Sequence, residues 1–417
     1  MTQINKRTLR VRRANIPMIL MMFAIVVFGL VILYSVSGPA GYAMNGDDKS
    51  SLYYLKKQII YTVVGIVLCL VISFLPIELF KHPSIWITAY ASSVVFVVLT
   101  KLIGEDINGA RRWIKIGGFT FQTSEFVKVA IVIALAGYRQ YIVDKRAQGK
   151  LKPKNPKSTV LFNTFFDFII PVSAAVLVDV LILFQPHTSC TIIVAFVVFM
   201  CTLNSGISLK SWLGGILITL PILIVAVVGV LIVKPDVIDN FAHVGTRIKV
   251  FQATSTGDDS NVTDDETRQV TNAHNALGSG GMWGRGIGNS RAKYNYVSEA
   301  QNDYIFSIYV EETGFMGGTL LILMYMVIFA MSSMVIIRAD SVFSRMIATG
   351  CTCHIMIQVI MNIAVELQVI PSTGVTLPFV SYGGTAQIFL LVAYGMILCV
   401  SRSGTKQKLV LENTNES

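Results

Sequence analysis

The chain has 417 residues, of which 53% are hydrophobic and only 14% are charged. Because soluble globular proteins carry about 25% charged residues, this composition excludes a water-soluble fold. The formal net charge of +10 does not indicate a nucleic-acid partner, since the basic residues lie mainly in short loops between apolar segments, where anionic lipid accounts for them.

Ten apolar segments recur along the chain, each close to the roughly 20 residues that a helix needs to cross a bilayer. They cover residues 17–37, 57–75, 83–101, 121–141, 159–184, 188–204, 212–233, 304–336, 346–368 and 385–401. The sequence therefore predicts a single all-α polytopic membrane domain over residues 1–417, with about ten transmembrane helices. No small-residue cleavage site follows the first segment, so we expect it to be retained as a span.

Lysine and arginine placement predicts the orientation of these helices. Basic residues are concentrated in the N-terminal residues 1–16, in the loop after the fourth segment and in the tail 402–417. All three are predicted to be cytoplasmic, which an even number of spans satisfies. The loops that then lie outside cover residues 38–56, 102–120, 234–303 and 369–384. The largest of them, 234–303, joins helices seven and eight.

No residue pattern indicates a metal site. The six cysteines lack CxxC spacing and companion histidines, and we expect them to pack as small hydrophobes. They are Cys69, Cys190, Cys201, Cys351, Cys353 and Cys399. The acidic run within residues 258–266 is expected to be solvent-exposed. A lone loop histidine, His187, indicates no particular chemistry.

A basic segment precedes the fourth span on the predicted outer side. Arg111, Arg112 and Trp113 lie in the run GARRWI, followed by Lys115. One interpretation is an interfacial anchor, with the arginines on lipid phosphates and the indole in the aromatic belt. The other is recognition of a diphosphate, because guanidinium groups bind phosphate oxygens bidentately.

Several carboxylates also lie where lipid would penalise them. Asp303 stands at the mouth of span eight, either as a general base in an apolar setting or as an acid that complements the helix dipole. Glu125 and Lys128, three residues apart, form either part of the site or a helical ion pair. Glu311 and Glu312 are expected to pair with basic residues of neighbouring spans.

Prolines and glycines punctuate residues 371–384, between the last two spans. Bends at that depth are tolerated only where the chain is buried in protein or lines a cavity. We therefore expect this loop to wall a substrate groove.

At these segments the sequence resembles the SEDS family (shape, elongation, division and sporulation), which includes FtsW, RodA and SpoVE. The resemblance covers nearly the whole chain. The matching pieces are residues 109–114 with 122–128 (QTSEFVK), 277–290 (LGSGGMWGRGIGNS), 302–314 (NDYIFSIYVEETG) and 371–384 (PSTGVTLPFVSYGG).

The resemblance implies a peptidoglycan glycosyltransferase of the bacterial cytoplasmic membrane, which polymerises lipid II at the outer face beside a class B penicillin-binding protein and other divisome or elongasome membrane proteins. It implies that Asp303 is the essential acidic residue of the large outer loop, where it would act as the catalytic general base. The substrate-binding residues implied are Arg111, Arg112, Trp113, Lys115, Glu125, Lys128, Glu299 and Ser381. No cofactor is indicated, although the chemistry leaves room for a divalent cation on the diphosphate.

The sequence departs from the family pattern at three places. His187 follows Gln185 and Pro186, where the family usually has an acidic residue; Ser298 replaces a proline; and Gln269 with Val270 lies where a Tyr-Gln pair is usual. Two other functions therefore stay open: a transporter that flips the same lipid, and a non-catalytic scaffold of the division or elongation machinery.

Overall fold

The computed structural model describes residues 6–10, 15–42, 50–107, 110–116, 119–153, 158–185, 187–233, 242–256, 264–294, 297, 300–403 and 407–411. The helices are α1 (Ile16–Tyr42), α2 (Tyr53–Phe74), α3 (Ile77–Phe80), α4 (Pro83–Ile103), α5 (Thr123–Ala147), α6 (Thr159–Thr164), α7 (Ile170–Leu183), α8 (Thr188–Leu203), α9 (Leu209–Val233), α10 (Ala242–Thr256), α11 (Asp264–Ser279), α12 (Ile305–Ile337), α13 (Val342–Glu366) and α14 (Thr385–Ser403). A π-helical turn, Phe165–Ile169, joins α6 to α7.

Every predicted span coincides with a helix. Within the described residues, eight helical segments are long and apolar enough to cross a membrane: α1, α2, α4, α5, α6 to α7 as one segment, α12, α13 and α14. The other two predicted spans are α8, which is shorter at 16 residues, and α9, with 25 residues. These helices confirm the predicted all-α polytopic fold. Such a fold suits lipid because a helix satisfies its backbone hydrogen bonds internally. The number of crossings and the side of each loop stay predictions.

Helices α5, α13 and α14 form the centre of the bundle. In each of these three helices about two thirds or more of the most apolar stretch is buried inside the protein, whereas in α4 only 17% of that stretch is buried. Helix α14 packs on α2 and α13, and α5 packs on α4 and α13. At the α2–α14 contact, a Cβ added to Gly65 would lie 2.6 Å from Leu391 Cδ1. A larger residue would therefore force these two helices apart.

Two small antiparallel sheets accompany the helices, and neither was predicted. Strand β1 (Lys6–Arg10) pairs with β5 (Gln407–Leu411), so the two ends of the chain lie on the same side of the bundle. Strands β2 (Glu105–Ile107), β3 (Ala110–Ile116) and β4 (Phe119–Gln122) form a meander directly before α5. The segment read from sequence as a basic loop is therefore a β-hairpin, in which alternate side chains face opposite sides.

The large loop 234–303 contains helices α10 and α11. Asp264, Asp265 and Glu266 belong to the acidic run that was expected to be solvent-exposed, and their backbone begins α11. Asp258 and Asp259 lie outside the described residues.

The end of this loop is bound to a bend in α12 at Gly314, whose φ is 73°. Arg285 N donates to Glu311 O at 3.0 Å, and Phe315 N donates to Gly281 O at 2.8 Å. Backbone groups that the bend releases are thus satisfied by the loop, which keeps the loop close to the helix.

Candidate functional site

The site is a cavity of about 370 Å³ where α12 begins. It is lined by Arg247 and Val250 of α10, Gln269 and Val270 of α11, Asp303 and Tyr304, Asn362 and Val365 of α13, and residues 372–375 of the last interhelical loop. Of the segment 371–384, residues 372–375 line this cavity, and the expectation that the segment walls a substrate groove stays a prediction. Gln269 and Val270, which stand where the family usually has a Tyr-Gln pair, also line this cavity.

Asp303 immediately precedes the N-cap residue of α12, Tyr304. The side chain of Glu366 in α13 accepts hydrogen bonds from the first free N–H groups of α12, from Phe306 N at 3.2 Å and from Ser307 N. A carboxylate at a helix N-terminus satisfies orphan donors and opposes the dipole. Glu366 therefore caps the N-terminus of α12, a role that the sequence had suggested for Asp303. Asp303 itself lines the cavity.

Asn362 holds the two sides of the cavity together. Its buried Nδ2 donates to Asp303 O and to Val375 O, both at 2.8 Å. Tyr382 N donates to Gln301 O at 2.9 Å. These bonds join the start of α12 to the loop before α14, so the Asp303 backbone is fixed relative to the opposite wall.

Gly374 brings a cation and an anion to one point. Its φ is +66°, and a Cβ built on it would lie 3.5 Å from Asp303 Oδ2 and 3.6 Å from Arg247 Nη2. The carboxylate and the guanidinium therefore both lie close to Gly374, and the positive φ favours glycine at this position. Sequence reasoning missed Arg247, because nothing in its neighbourhood within the long loop marks it as a member of the site.

A second arginine approaches from the β2–β4 meander. Arg112 is half-buried, and its Nε donates to Gln185 O at 3.3 Å. Burial, together with the positive charge of Arg247, lowers the pKa of Arg112 to about 10. The positive charges of Arg112 and Arg247 thus repel each other, and the two arginines are together called the positively charged region.

His187 lies in the same positively charged region. Burial, and then the charges of Arg112, Lys128 and Arg247, lower its pKa well below the ordinary value. Its Nδ1 is shielded from solvent and has no hydrogen-bond partner in the structure. The imidazole is therefore neutral near pH 7, and a ligand that brings negative charge here would meet cations from three elements.

Arg111 and Arg112 do not act as a pair. Along β3 they face opposite sides of the hairpin, and Arg111 is exposed whereas Arg112 is half-buried. Trp113 and Lys115 share no wall of the cavity with Asp303 either; Lys115 Nζ forms an exposed ion pair with Glu105 at 3.4 Å. Of the four basic and aromatic residues predicted here, the structure brings only Arg112 towards Arg247.

Glu125 and Lys128 bind each other. Lys128 Nζ lies 2.7 Å from Glu125 Oε1, and both side chains are buried within the first turns of α5. They form the i,i+3 ion pair that was one of the two interpretations. Lys128 still contributes its charge near His187. The pair therefore lies behind the site and does not line the cavity.

Two further predicted residues differ in their placement. Ser381 is buried within its own loop, where Oγ accepts a hydrogen bond from Leu377 N at 2.9 Å, so it fixes the loop and does not line the cavity. Glu299 lies outside the described residues. Glu311 and Glu312 do pair with basic residues, but with Arg285 (3.7 Å) and Lys293 (2.8 Å) of the preceding loop, not of neighbouring spans.

The six cysteines are all buried, as expected for small hydrophobic side chains, and none forms a disulfide. Within the described ranges, no group of three or more His, Cys, Asp or Glu side chains could hold a metal ion.

Comparison with known proteins gives consistent matches over the whole chain. Residues 15–406 match the family model of the FtsW, RodA and SpoVE group, described as cell cycle proteins. The chain is 29% identical to a probable peptidoglycan glycosyltransferase FtsW of Trichlorobacter lovleyi, over 96% of each chain. It is 29% identical to the stage V sporulation protein E of Bacillus subtilis, over 93% of this chain and 97% of that one.

A solved structure shares the fold. A chain of a peptidoglycan synthase complex that coordinates polymerization and crosslinking superposes with a TM-score of 0.65, at 23% identity, over 93% of this chain and 98% of that chain. At this identity the likeness concerns the fold.

Proposed function

The chain belongs to the SEDS family, the FtsW, RodA and SpoVE group of cell cycle proteins, and on this premise we propose that it polymerises lipid II into glycan strands at the outer face of the bacterial cytoplasmic membrane. It is a multi-pass membrane peptidoglycan glycosyltransferase, as the names of its FtsW relatives indicate. The observation that carries the proposal is the cavity in which Asp303 and Arg247 meet at Gly374.

The reaction requires one proton acceptor and one group of cations. A sugar hydroxyl of the acceptor attacks the anomeric carbon of the donor, forming a new C–O bond while the bond to the lipid diphosphate breaks. The hydroxyl proton passes to the carboxylate of Asp303, and the electron pair leaves with the diphosphate. A positioned general base is typically worth about 10² to 10⁴ in rate.

Arg247 and Arg112 supply the positive charge. Their guanidiniums lie in one region, and each can bind phosphate oxygens through paired N–H donors. Charge that develops on the departing diphosphate is stabilised more strongly in a partly buried site than in water. Asp303 and Arg247 both lie next to Gly374, so the proposed base and one proposed cation face the same small space in the cavity.

A divalent cation is an additional proposal. Asp303 is the carboxylate that faces the cavity among its lining residues, and the described residues offer no set of three acidic, histidine or cysteine ligands. A bound cation would therefore be held mainly by the diphosphate oxygens, with Asp303 as a single protein ligand, and would add Lewis-acid stabilisation of the leaving group.

The partner is proposed on similar grounds. The structural neighbour comes from a peptidoglycan synthase complex that couples polymerization with crosslinking. We propose that this chain works beside a class B penicillin-binding protein, which supplies the crosslinking activity that a polymerase lacks.

The decisive experiment is polymerisation of purified lipid II by the purified protein in detergent, with and without a class B partner. Asp303→Asn keeps the shape of the side chain but removes the proton acceptor, so glycan synthesis should fall at least 100-fold at equal amounts of folded protein. Asp144→Asn is the matched control, because Asp144 is an exposed carboxylate near the other end of α5 that accepts a hydrogen bond from Gln140.

A transporter or a scaffold predicts a different result. Detergent solution has no second compartment, so a flippase would form no polymer with either protein. Equal polymer from wild type and Asp303→Asn would remove Asp303 from catalysis, and absence of polymer from the wild type with every partner tried would overturn the glycosyltransferase proposal.

A further inference from the structure

A groove on the side of the bundle lies at the end opposite the catalytic cavity. It is formed by α4, α5 and α7, with a volume of about 280 Å³ and a lining that includes Trp86, Tyr90, Ala134, Tyr138 and Ala174. Its floor, at Ala134 and Ala175, is buried, whereas the walls at Trp86, Tyr90 and Ala174 are only half-buried. The groove is thus apolar and open on one side.

The groove continues into a second hollow whose lining includes two lysines. A cavity of about 440 Å³ shares Tyr138 and Ile170 with the first and is also lined by Tyr141, Lys145 and Lys150. The combined feature therefore runs from an apolar slot within the bundle to a pair of lysines at the end of α5. This gradient matches an amphiphile with a hydrocarbon chain and an anionic head.

The position of the two lysines is built into the backbone. Gly149 has φ of 71°, its N–H donates to Arg146 O at 2.9 Å, and Lys150 N donates to Lys145 O at 3.0 Å. These two bonds form a Schellman motif, which ends α5 and brings residue 150 back beside residue 145. The backbones of both lysines are therefore held close together, and both residues line the second hollow.

The two lysines differ from the neighbouring Arg146 in having no carboxylate partner among the described residues. Arg146 binds Asp167 at 2.8 Å. Lys145 Nζ instead lies 5.2 Å from the centre of the Tyr141 ring. Two cations without carboxylate partners in the described part of the chain, at a membrane boundary, attract lipid phosphate.

The depth of the groove places it in the leaflet away from the catalytic cavity. Lys128, near His187, and Lys145 are separated by 17 residues of α5, or roughly 25 Å at 1.5 Å per residue.

We propose that this groove binds one anionic glycerophospholipid of the leaflet opposite the catalytic cavity, with an acyl chain between α4, α5 and α7 and its phosphate on Lys145 and Lys150. The π-helical turn contributes to the site, because Tyr138 Oη donates to Phe166 O at 2.9 Å and holds the ring that both cavities share. Unusual turns of this kind frequently mark functional positions in helices.

The test is a titration of delipidated, purified protein with phosphatidylglycerol and with phosphatidylethanolamine, followed by native mass spectrometry. The wild type should bind the first phosphatidylglycerol at least 10-fold more tightly than the first phosphatidylethanolamine. Replacing both lysines (Lys145→Gln with Lys150→Gln) should weaken phosphatidylglycerol binding by about 30-fold, since each cation near a membrane surface is worth about a factor of five. Phosphatidylethanolamine binding should be unchanged.

Matched controls separate this site from general attraction to basic surfaces. Lys210→Gln with Arg338→Gln removes two exposed cations from the same predicted side of the membrane and should alter neither lipid by more than about twofold. Ala174→Phe fills the slot and should weaken both lipids, whereas Ser173→Phe adds the same ring at an exposed neighbouring position and should weaken neither.

These measurements do not depend on glycan synthesis, so they stand apart from the proposed function. Size-exclusion elution and helical circular dichroism confirm that each variant is folded. The proposal is overturned if the lysine variant binds phosphatidylglycerol as the wild type does, if the Lys210 and Arg338 control loses as much, or if Ala174→Phe binds both lipids normally.

Discussion

Two clusters of ionised side chains lie at opposite ends of the bundle, and they differ in what their charges face. At one end, Asp167 of the π-helical turn binds Arg139 Nη1 with one carboxylate oxygen (2.7 Å) and Arg146 Nη1 with the other (2.8 Å). Arg139 Nε also donates to Ser205 O at 3.0 Å. At the other end, Asp303 and Arg247 line an open cavity on either side of Gly374.

The difference teaches how to tell a structural charge from a working one. A carboxylate whose two oxygens are bound by arginines within the protein has its desolvation offset there and joins helices. Charges that line a cavity and lie in a region of repelling cations are stabilised most when an anionic ligand arrives. Both clusters contain the same residue types, so composition alone cannot separate them.

The largest effect is expected at the closed cluster. Asp167→Asn leaves Arg139 and Arg146 partly buried without their counter-charge, and such a loss typically costs about 3–5 kcal/mol of stability. Thermal unfolding in detergent should shift markedly, while glycan synthesis per folded molecule stays within a few-fold of wild type. Normal stability together with lost activity would mean that Asp167 belongs to the working cluster and that the distinction fails.

Arg247 tests the open cluster from its cationic side. Arg247→Gln removes the charge that faces the leaving diphosphate, and we expect glycan synthesis to fall about 100-fold, as for the loss of one oxyanion donor. The unfolding temperature should change little, because the residue is half-buried at a cavity wall. Lys249→Gln, two residues along α10, is the matched control. An unchanged rate for Arg247→Gln would exclude this arginine from leaving-group stabilisation.

The two arginines of strand β3 sharpen the comparison further. Arg112→Lys keeps the charge but loses the planar fork, so turnover should drop about 10-fold, whereas Arg111→Lys, on the exposed opposite face, should stay within about twofold. Initial rates at saturating and limiting lipid II measure both variants. If both variants lose turnover equally, both arginines bind the diphosphate. If neither variant loses turnover, both arginines are membrane anchors.

The smallest expected effect is a pH dependence at His187. Its folded-state pKa lies below the ordinary value because of burial and of Arg112, Lys128 and Arg247, so the unfolded state binds more protons below about pH 6.5. Stability is therefore lost as pH falls below that value, by at most about 1.4 kcal/mol per pH unit. The unfolding temperature of His187→Gln should fall less between pH 7.5 and 5.5 than that of wild type, by roughly 1–3 °C. Parallel pH curves for the two proteins would contradict the assignment.

Sequence alone determined the architecture of this protein. Lipid requires long apolar helices whose backbone groups are satisfied internally, and this requirement is written locally, in segments of about 20 residues. All ten predicted segments are therefore helical, and Asp303 stands at the start of α12 as expected. The family motifs single out the same residue as the proposed catalytic position.

Only the tertiary structure decided which polar residues meet. Arg247 and Asp303 are 56 positions apart and come together because α10 folds back over the cavity. The β-hairpin turned Arg111 away from Arg112, and the first turns of α5 bound Glu125 to Lys128. Hydropathy gives the length of a span. The rotation of each helix about its axis and the folding of each long loop depend instead on packing against the rest of the chain. That packing determines which charges neutralise each other and which face a ligand.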